Sequence, residues 1–344
     1  NAVFNTPDIQ DNKYHGTHVG GLISAISDND KGIYARVPGI KIMYVKIWDK
    51  GQDIFKSYVA DAIKYACDNG ANILSNSYGT PSANEPTKKA IDYCNKKGIL
   101  FVGASGNVSQ NLDETPDYPS SFNFDNQIVV GASDNQDGRA IFSNYGSVVD
   151  IFAPGKDIYS LMPKSRYKYA SGTSQATPLV TLGAAMTLAH NPDLSLEELK
   201  DRIIDSADEF KRMIKWANTG RRLNIYNSLL GLQGKRVKEY ELSQWKEKEL
   251  NLESKHPYTK KHTELNEVSL KDTKRFQVHF KKFETYNYDT VDIIDKNGEI
   301  IERYNGDLKS FWSQVIEGDY LKIVLKAGSS PLKYGYKIDK IRYE

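Results

Sequence analysis

Cysteine is scarce: the chain carries only Cys67 and Cys94 among 344 residues. Both fall in helix-like stretches and read as small buried apolar residues rather than as a disulfide. So few cysteines define no redox compartment. Net charge is close to absent at +2, so electrostatics point neither to nucleic acid nor to an anionic membrane. No apolar run approaches the ~18–20 residues of a membrane span. Internal repeats and low-complexity segments are missing too. The start carries no signal peptide, yet Asn1 is not an initiator methionine, so the chain reads as a processed or trimmed piece. The length allows about two domains, and a hydrophobic content of 39% is enough for a sizeable core.

The most informative stretch is Ser171-Gly-Thr-Ser-Gln-Ala-Thr-Pro178, followed by the small and apolar run 179–188. It predicts a sharp turn at Gly172 and a buried helix with Ser174 near its N-terminus, where free N–H groups and the dipole favour negative charge. Pro178 is expected within or near the first turn. A serine so placed can attack a carbonyl while nearby N–H groups hold the oxyanion. The same placement also suits a plain N-cap. A nucleophile needs a base, and His15-Gly-Thr-His18 opens a second small-residue stretch that reads as a buried helix. His15 at the helix start is the candidate base, and His18 is a packed, hydrogen-bonded neighbour one turn on. The pair could also hold a metal, but no third ligand and no His-Glu-x-x-His pattern accompanies it.

Between these motifs strands alternate with helices. Residues 40–47 alternate as a mostly buried strand, 58–69 form a helix closed by Gly70, and 72–75 a short strand running into the turn-rich 76–81. A helix follows at 88–97, then apolar strands at 99–104, 128–132 and 149–152. The pattern indicates a parallel α/β sheet covered on both faces, with working residues at the carboxyl ends of strands. Asn107 stands just past such an end, as a candidate oxyanion donor or as an asparagine serving a turn. Ser195-Leu-Glu-Glu198 is a capping box opening a helix to about Phe210, and 221–232 supply a last strand and helix. Residues 233–265 are rich in Lys and Glu and read as a solvated linker. From about Ser269 the period changes to two, and Asn297-Gly298 marks a hairpin, so 266–344 are expected to form a small all-β sandwich.

Three motifs now stand in order: His15-Gly-Thr-His-Val-Gly-Gly21, Gly103-Ala-Ser-Gly-Asn107 and Gly172-Thr-Ser-Gln-Ala-Thr-Pro178. Together they closely resemble the subtilisin-like serine proteases, the subtilases. The family's usual methionine after the serine is Gln175 here. The resemblance implies a doubly wound, mostly parallel α/β domain over 1–232 that hydrolyses peptide bonds in a polypeptide substrate. His15 would act as general base and then acid, Ser174 as nucleophile, and Asn107 with the Ser174 backbone N–H as oxyanion donors. Subtilases run in the order Asp, His, Ser, with the Asp on a strand roughly thirty residues before the His. Only fourteen residues precede His15, and neither Asp8 nor Asp11 has an apolar strand before it or Thr/Ser-Gly after it. The orienting Asp is therefore expected on a separate N-terminal fragment of a two-chain mature enzyme, retained by sheet pairing, or in a segment outside this sequence. The alternative is a catalytically inactive, subtilase-like binding protein. A zymogen propeptide and export from the cell complete what the likeness implies.

Substrate contacts follow from the same resemblance. Ser77, Tyr78, Gly79 and Thr80 match the edge that pairs with an extended substrate. Gly103, Ala104, Ser105 and Gly106 match one wall of the primary specificity pocket, and Asp117, before Tyr118-Pro119, matches its base. A carboxylate there favours Arg or Lys before the scissile bond, whereas in one acidic loop with Asp113 and Glu114 it could be merely solvated. Structural calcium is the one cofactor implied, and Asp28, Asn29 and Asp30 offer oxygen ligands after the His helix. The β domain resembles a CUB-like jelly roll in Phe283-Glu284, in Tyr288 to Ile293 and in Tyr334-Gly-Tyr336. Glu284 and Asp289 are its calcium candidates, without a third carboxylate where the chain reads Ala327-Gly-Ser329. An esterase on another α/β fold is disfavoured, because Gly172-Thr-Ser-Gln-Ala lacks the Gly-x-Ser-x-Gly elbow.

Overall fold

Apolar segments of four to seven residues, too short for packed helices, form the central sheet of the first of two units, Asn1–Arg236; the second is Val237–Glu344. The structure, a computed structural model, describes all residues except 4, 26–29, 36–38, 49–57, 238–239, 241 and 330–332. In the first unit β1 (Ile73–Asn76), β2 (Leu100–Ala104), β3 (Gln127–Ser133) and β4 (Ile151–Pro154) run parallel, side by side. The hairpin β5 (Ile158–Met162) and β6 (Arg166–Ala170) forms its own two-stranded sheet. The short β7 (Asp208–Glu209) and β8 (Arg221–Arg222) extend the main sheet, in the order β1-β2-β3-β4-β8-β7.

Successive strand residues point to opposite faces, and the core divides accordingly. Leu100, Val102, Ile128 and Val130 pack with Ala176, Val180 and Ala184 of α4 (Thr173–His190) and with Leu199 and Ile203 of α5 (Leu196–Asp205). Phe101 and Leu74 pack with Ile63 and Ala66 of α2 (Tyr58–Asp68) and Ile91 of α3 (Glu85–Lys96). Helices thus cover both faces, as a doubly wound sheet requires. The helix α1 (His15–Ser24) packs on α4, and so does α6 (Ile225–Leu230). The capping box at Ser195 and Glu198 is formed. Its helix ends at Asp205 rather than near Phe210, because Asp208 and Glu209 are drawn into pairing with β8.

Three further expectations need correction. Residues 40–47 form no strand: a strand exists through its partner, and no described strand lies alongside to satisfy its backbone. Its Met43 and Tyr44 are accordingly exposed. Pro178 sits in the second turn of α4, not the first. Cys67 of α2 and Cys94 of α3 are bonded, with Cα atoms 5.8 Å apart. Each cysteine does sit in apolar packing, but α2 and α3 pack face to face, which brings the two thiols together.

The second unit is built from antiparallel strands. Its first sheet runs β10 (Thr263–Ser269), β17 (Tyr320–Lys326), β12 (Thr290–Ile294), β13 (Ile300–Tyr304). The other runs β14 (Asp307–Leu308), β11 (Arg275–Glu284), β18 (Gly335–Tyr343), β9 (Lys246–Glu253), with β15 (Phe311–Trp312) and β16 (Ile316–Glu317) also on β11. The stretch 233–265 is therefore not a linker: it holds β9 and the start of β10. Its charges alternate along β9, an exposed strand whose Glu247 and Glu253 pair with Lys340 and Lys337 of β18. Asn297-Gly298 lies in the turn between the paired β12 and β13, as expected. Phe280 of one sheet packs against Tyr304 of the other, and Phe283, Phe311 and Tyr336 complete an aromatic core.

Replacing Cys67 and Cys94 by serine is expected to lower unfolding free energy by about 3–4 kcal/mol, from the loop that the bond closes. Denaturant melts of wild type and C67S/C94S measure this; equal midpoints would remove the bond's role in stability.

Candidate active site

The end of β1 and the start of α4 meet through a reciprocal pair. The Ser174 Oγ donates to the Ser77 carbonyl at 3.2 Å, and the Ser77 Oγ donates to the Ser174 carbonyl at 3.0 Å. Pro178 explains the second bond. In a helix the N–H of residue 178 would bond the carbonyl of residue 174; proline has none, so the Ser174 carbonyl is left for Ser77. Ser174 is the second residue of α4, and its N–H has no acceptor within the helix. The backbone at Gly172 is extended, with φ 163°, so the sharp turn expected there is not the reason for glycine. A Cβ at Gly172 would lie 2.9 Å from Gln175 Oε1 and 3.4 Å from Asn107 Nδ2, so close approach is.

Asn107 lies in the loop after β2, at the same helix start. Its Oδ1 accepts the Thr173 N–H at 2.7 Å and the Thr173 hydroxyl at 3.1 Å. That fixes the amide with its Nδ2 uncommitted beside Gly172, where an oxyanion donor is needed. The loop itself is held by Asn144, a fully buried residue. Its Oδ1 accepts the N–H groups of Val108 and Gln110, and its Nδ2 donates to the Ser105 carbonyl. Sequence reasoning passed over Asn144 and Thr173. The motif Gly-Thr-Ser shows Thr173, but Asn144 acts across some 34–39 residues without any local pattern.

His15 is the first residue of α1 and is exposed. The carboxylate of Asp11 tethers this helix start: Oδ2 accepts the Thr17 N–H and hydroxyl at 2.8 and 2.7 Å, and Oδ1 the Lys13 N–H. Burial works against ionisation of Asp11, but these hydrogen bonds outweigh it and hold its pKa below the usual value. The surrounding protein lowers the pKa of His15 despite its exposure. The Asp11 charge pulls the other way, and His18 adds to the lowering. His18 is buried, as expected: Nε2 donates to the Lys168 carbonyl at 3.0 Å, and Nδ1 faces Gln175 Nε2 at 3.5 Å. The structure so links the turn after His15 to the residue after Ser174. It makes no hydrogen bond between His15 and Ser174, and no carboxylate among the described residues bonds the His15 ring.

The segments 77–80 and 103–106 flank this helix start. Thr80 and Tyr118 exchange both main-chain hydrogen bonds at 2.8 Å, which brings Asp117 against the two segments. A Cβ at Gly79 would lie 2.5 Å from Asp117 Oδ1, and one at Gly106 3.1 Å from Asp117 Oδ2. Asp117 Oδ1 is buried with no hydrogen-bond partner. Burial raises the Asp117 pKa, opposed by the nearby N–H groups of Thr80 and Tyr118. Tyr78 donates to Asn76 Oδ1 at 3.0 Å and lines an apolar hollow with Val59, Tyr118 and Phe122.

The calcium candidates fare differently. Asp28 and Asn29 lie outside the described residues, and Asp30 is exposed. Asp289 does not fit a cation: its oxygens accept the Tyr258 hydroxyl and the Gly328 N–H, both at 2.8 Å. Glu284 is paired with Lys282 at 3.3 Å. Among the described residues no three His, Cys, Asp or Glu side chains are grouped to hold a metal.

A family model described as the subtilase family matches residues 1–239. The chain belongs to the subtilase family. A thermophilic serine proteinase of Bacillus sp. (strain AK1) is 38% identical over 227 residues, which is 66% of this chain and 55% of that protein. Thermitase of Thermoactinomyces vulgaris is 36% identical over 220 residues, 64% of this chain and 76% of that one. The chain thus spans about half the first relative and three quarters of the second. A solved cold-adapted subtilisin-like serine proteinase matches at 29% identity with a TM-score of 0.57, over 65% of this chain and 78% of that one. Membership places the chain among the subtilisin-like serine endopeptidases. The β-stranded unit lies almost wholly beyond the matched residues.

Two outcomes follow for this subtilase. N107A should lower kcat by about 10²–10³ with little change in KM, a magnitude taken from the corresponding donor in a subtilisin. Steady-state kinetics measures it, and an unchanged kcat would remove Asn107 from the oxyanion site. NMR titration of the 344-residue chain should place the His15 pKa below the ordinary value of about 6.5. Asp11→Asn should lower it further, because the Asp11 charge favours the protonated ring; a rise would contradict this geometry.

Proposed function

We propose that this chain forms the larger part of a serine endopeptidase selective for Arg or Lys before the scissile bond. Ser174 attacks the peptide carbonyl, His15 takes the Ser174 proton and later gives it to the leaving amine, and Asn107 Nδ2 with the Ser174 N–H holds the oxyanion. The extended substrate lies between Ser77–Thr80 and Gly103–Gly106 and uses their main-chain groups. The observation that carries the selectivity is Asp117: a buried carboxylate oxygen without a partner, set against Gly79 and Gly106. An arginine or lysine head entering there supplies the missing donor as a charge-assisted bond.

The catalytic Asp, in this reading, arrives on a strand added to the outer edge of β1, from a separate N-terminal fragment or from chain preceding this sequence. Three features support it. Among the described residues β1 ends the sheet, Asn76 beside that edge has a buried Nδ2 without a partner, and no carboxylate bonds the His15 ring. Without that strand the site is the inactive scaffold, since an unoriented imidazole is a poor base. The Cys67–Cys94 bond supports export, as disulfides persist in oxidising compartments. No described helix is long and apolar enough to cross a membrane. The CUB-like unit serves stability or substrate attachment.

The test is kcat/KM on peptides that differ only before the scissile bond. Arg and Lys should exceed Leu and Glu, and Asp117→Asn should cut the Arg rate about 10–100-fold while sparing Leu. Because the Asp117 pKa is raised, the preference should fade as pH drops, at a pH above the usual carboxylate range. Equal rates for Arg, Leu and Glu peptides would sink the selectivity and leave the peptidase reading standing.

A further inference from the structure

The β-stranded unit holds a second chain of hydrogen bonds from carboxylate to imidazole to serine. His279 of β11 bonds Asp339 of β18, Nδ1 to Oδ1, at 2.5 Å. On the other side of the ring, Ser310 Oγ lies 2.8 Å from Nε2. A carboxylate accepts only, so Nδ1 carries a proton; in the neutral ring Nε2 is then the acceptor, and the Ser310 hydroxyl donates to it. This is the polarity that activates a serine nucleophile.

The backbone is shaped for this contact. The β11–β18 register runs His279↔Lys340 and then Phe280↔Ile338, so Asp339 is an extra residue in a bulge. Bulges re-aim side chains and recur beside active sites; in regular pairing Asp339 would stand opposite Phe280, on the other face of the sheet from His279. Burial opposes the charge on Asp339, but the His279 bond outweighs it and holds the carboxyl below its ordinary pKa, with Lys281 assisting. The imidazole is largely enclosed, at 15% side-chain exposure, whereas Ser310 in the turn before β15 is open to solvent. Trp312, opposite His279 in the ladder, lies against the ring at 5.0 Å, and Arg342 and Lys340 stack on the indole. The hydroxyl thus faces solvent beside an aromatic, positively charged floor.

We infer that Ser310, His279 and Asp339 form a second nucleophilic serine site, one that takes small aryl esters rather than peptides. The open Ser310 hydroxyl stands beside Trp312, a face on which an aryl ring can stack, and an aryl ester needs little enclosure because its aryl alcohol is a good leaving group. Ser310 Oγ bonds to the acyl carbon and its proton passes to His279 Nε2; the aryl alcohol departs with that proton. Water then attacks the acyl-serine, giving a proton to His279 that returns to Ser310 Oγ as the carboxylic acid is released.

The test uses the full chain carrying Ser174→Ala, so that failure of the peptidase reading does not bear on it. The probes are a fluorophosphonate, mapped by peptide mass spectrometry, and p-nitrophenyl acetate. Ser310 should be the labelled residue, and His279→Gln or Asp339→Asn should slow labelling by about 10²-fold or more. Ser310→Ala should abolish both label and ester turnover while leaving peptidase activity in the Ser174 protein unchanged. A folded Ser174→Ala protein left unlabelled at Ser310 would overturn the inference. So would labelling that is indifferent to both His279→Gln and Asp339→Asn.

Discussion

The two hydrogen bonds between Ser77 and Ser174 set the geometry of the catalytic unit. They tie the end of β1, which leads into the proposed substrate edge, to the helix that carries Ser174, the proposed nucleophile. The tie depends on Pro178, which withholds an N–H from the Ser174 carbonyl. A proline inside a helix ordinarily costs about 3 kcal/mol; here part of that cost is offset because the orphaned carbonyl finds the Ser77 hydroxyl. The Asn107–Thr173 bonds and the Asn144 clamp then position the oxyanion loop against the same helix start. The proposed nucleophile, oxyanion donor and substrate edge are thus hydrogen-bonded into one assembly before any ligand enters, which is the preorganisation that acyl transfer needs.

The base is less committed. Asp11 spends its carboxylate on Thr17 and Lys13, fixing where α1 begins rather than how the His15 ring turns. The Ser174 hydroxyl points to a carbonyl, not to an imidazole. No carboxylate among the described residues bonds the His15 ring to orient it. His18 nevertheless contacts Gln175, so α1, which carries His15, meets α4 next to Ser174.

Much of this was legible in the sequence where the determinant is local. The small-residue helices after His15 and Ser174, the alternating core of Leu100 to Val102 and the Ser195 capping box each rest on neighbours within a turn or a strand. What escaped was non-local. Asn144 acts on a loop far along the chain, and Cys67 meets Cys94 only because α2 packs on α3. Residues 40–47 alternate like a strand, but no described strand pairs with them. The charged stretch from 233 looked like linker because β9 is an exposed strand, whose outward residues need not be apolar. The bulge at Asp339 leaves no mark in the sequence either, since His279 and Asp339 become neighbours only through pairing.

The central claim is that Ser174 is an activated nucleophile once a strand bearing Asp pairs with β1. It is tested most directly by a denaturing intact-mass spectrum of the purified protein after fluorophosphonate treatment, with the adduct mapped. The account predicts an adduct at Ser174, either on the 38.8 kDa chain beside a second, short polypeptide carrying Asp-Thr/Ser-Gly, or on a heavier chain whose N-terminal extension carries it. A folded 38.8 kDa species standing alone with Ser174 unlabelled would leave it as the inactive scaffold. Labelling of Ser174 with no added strand would contradict the role given to the missing carboxylate.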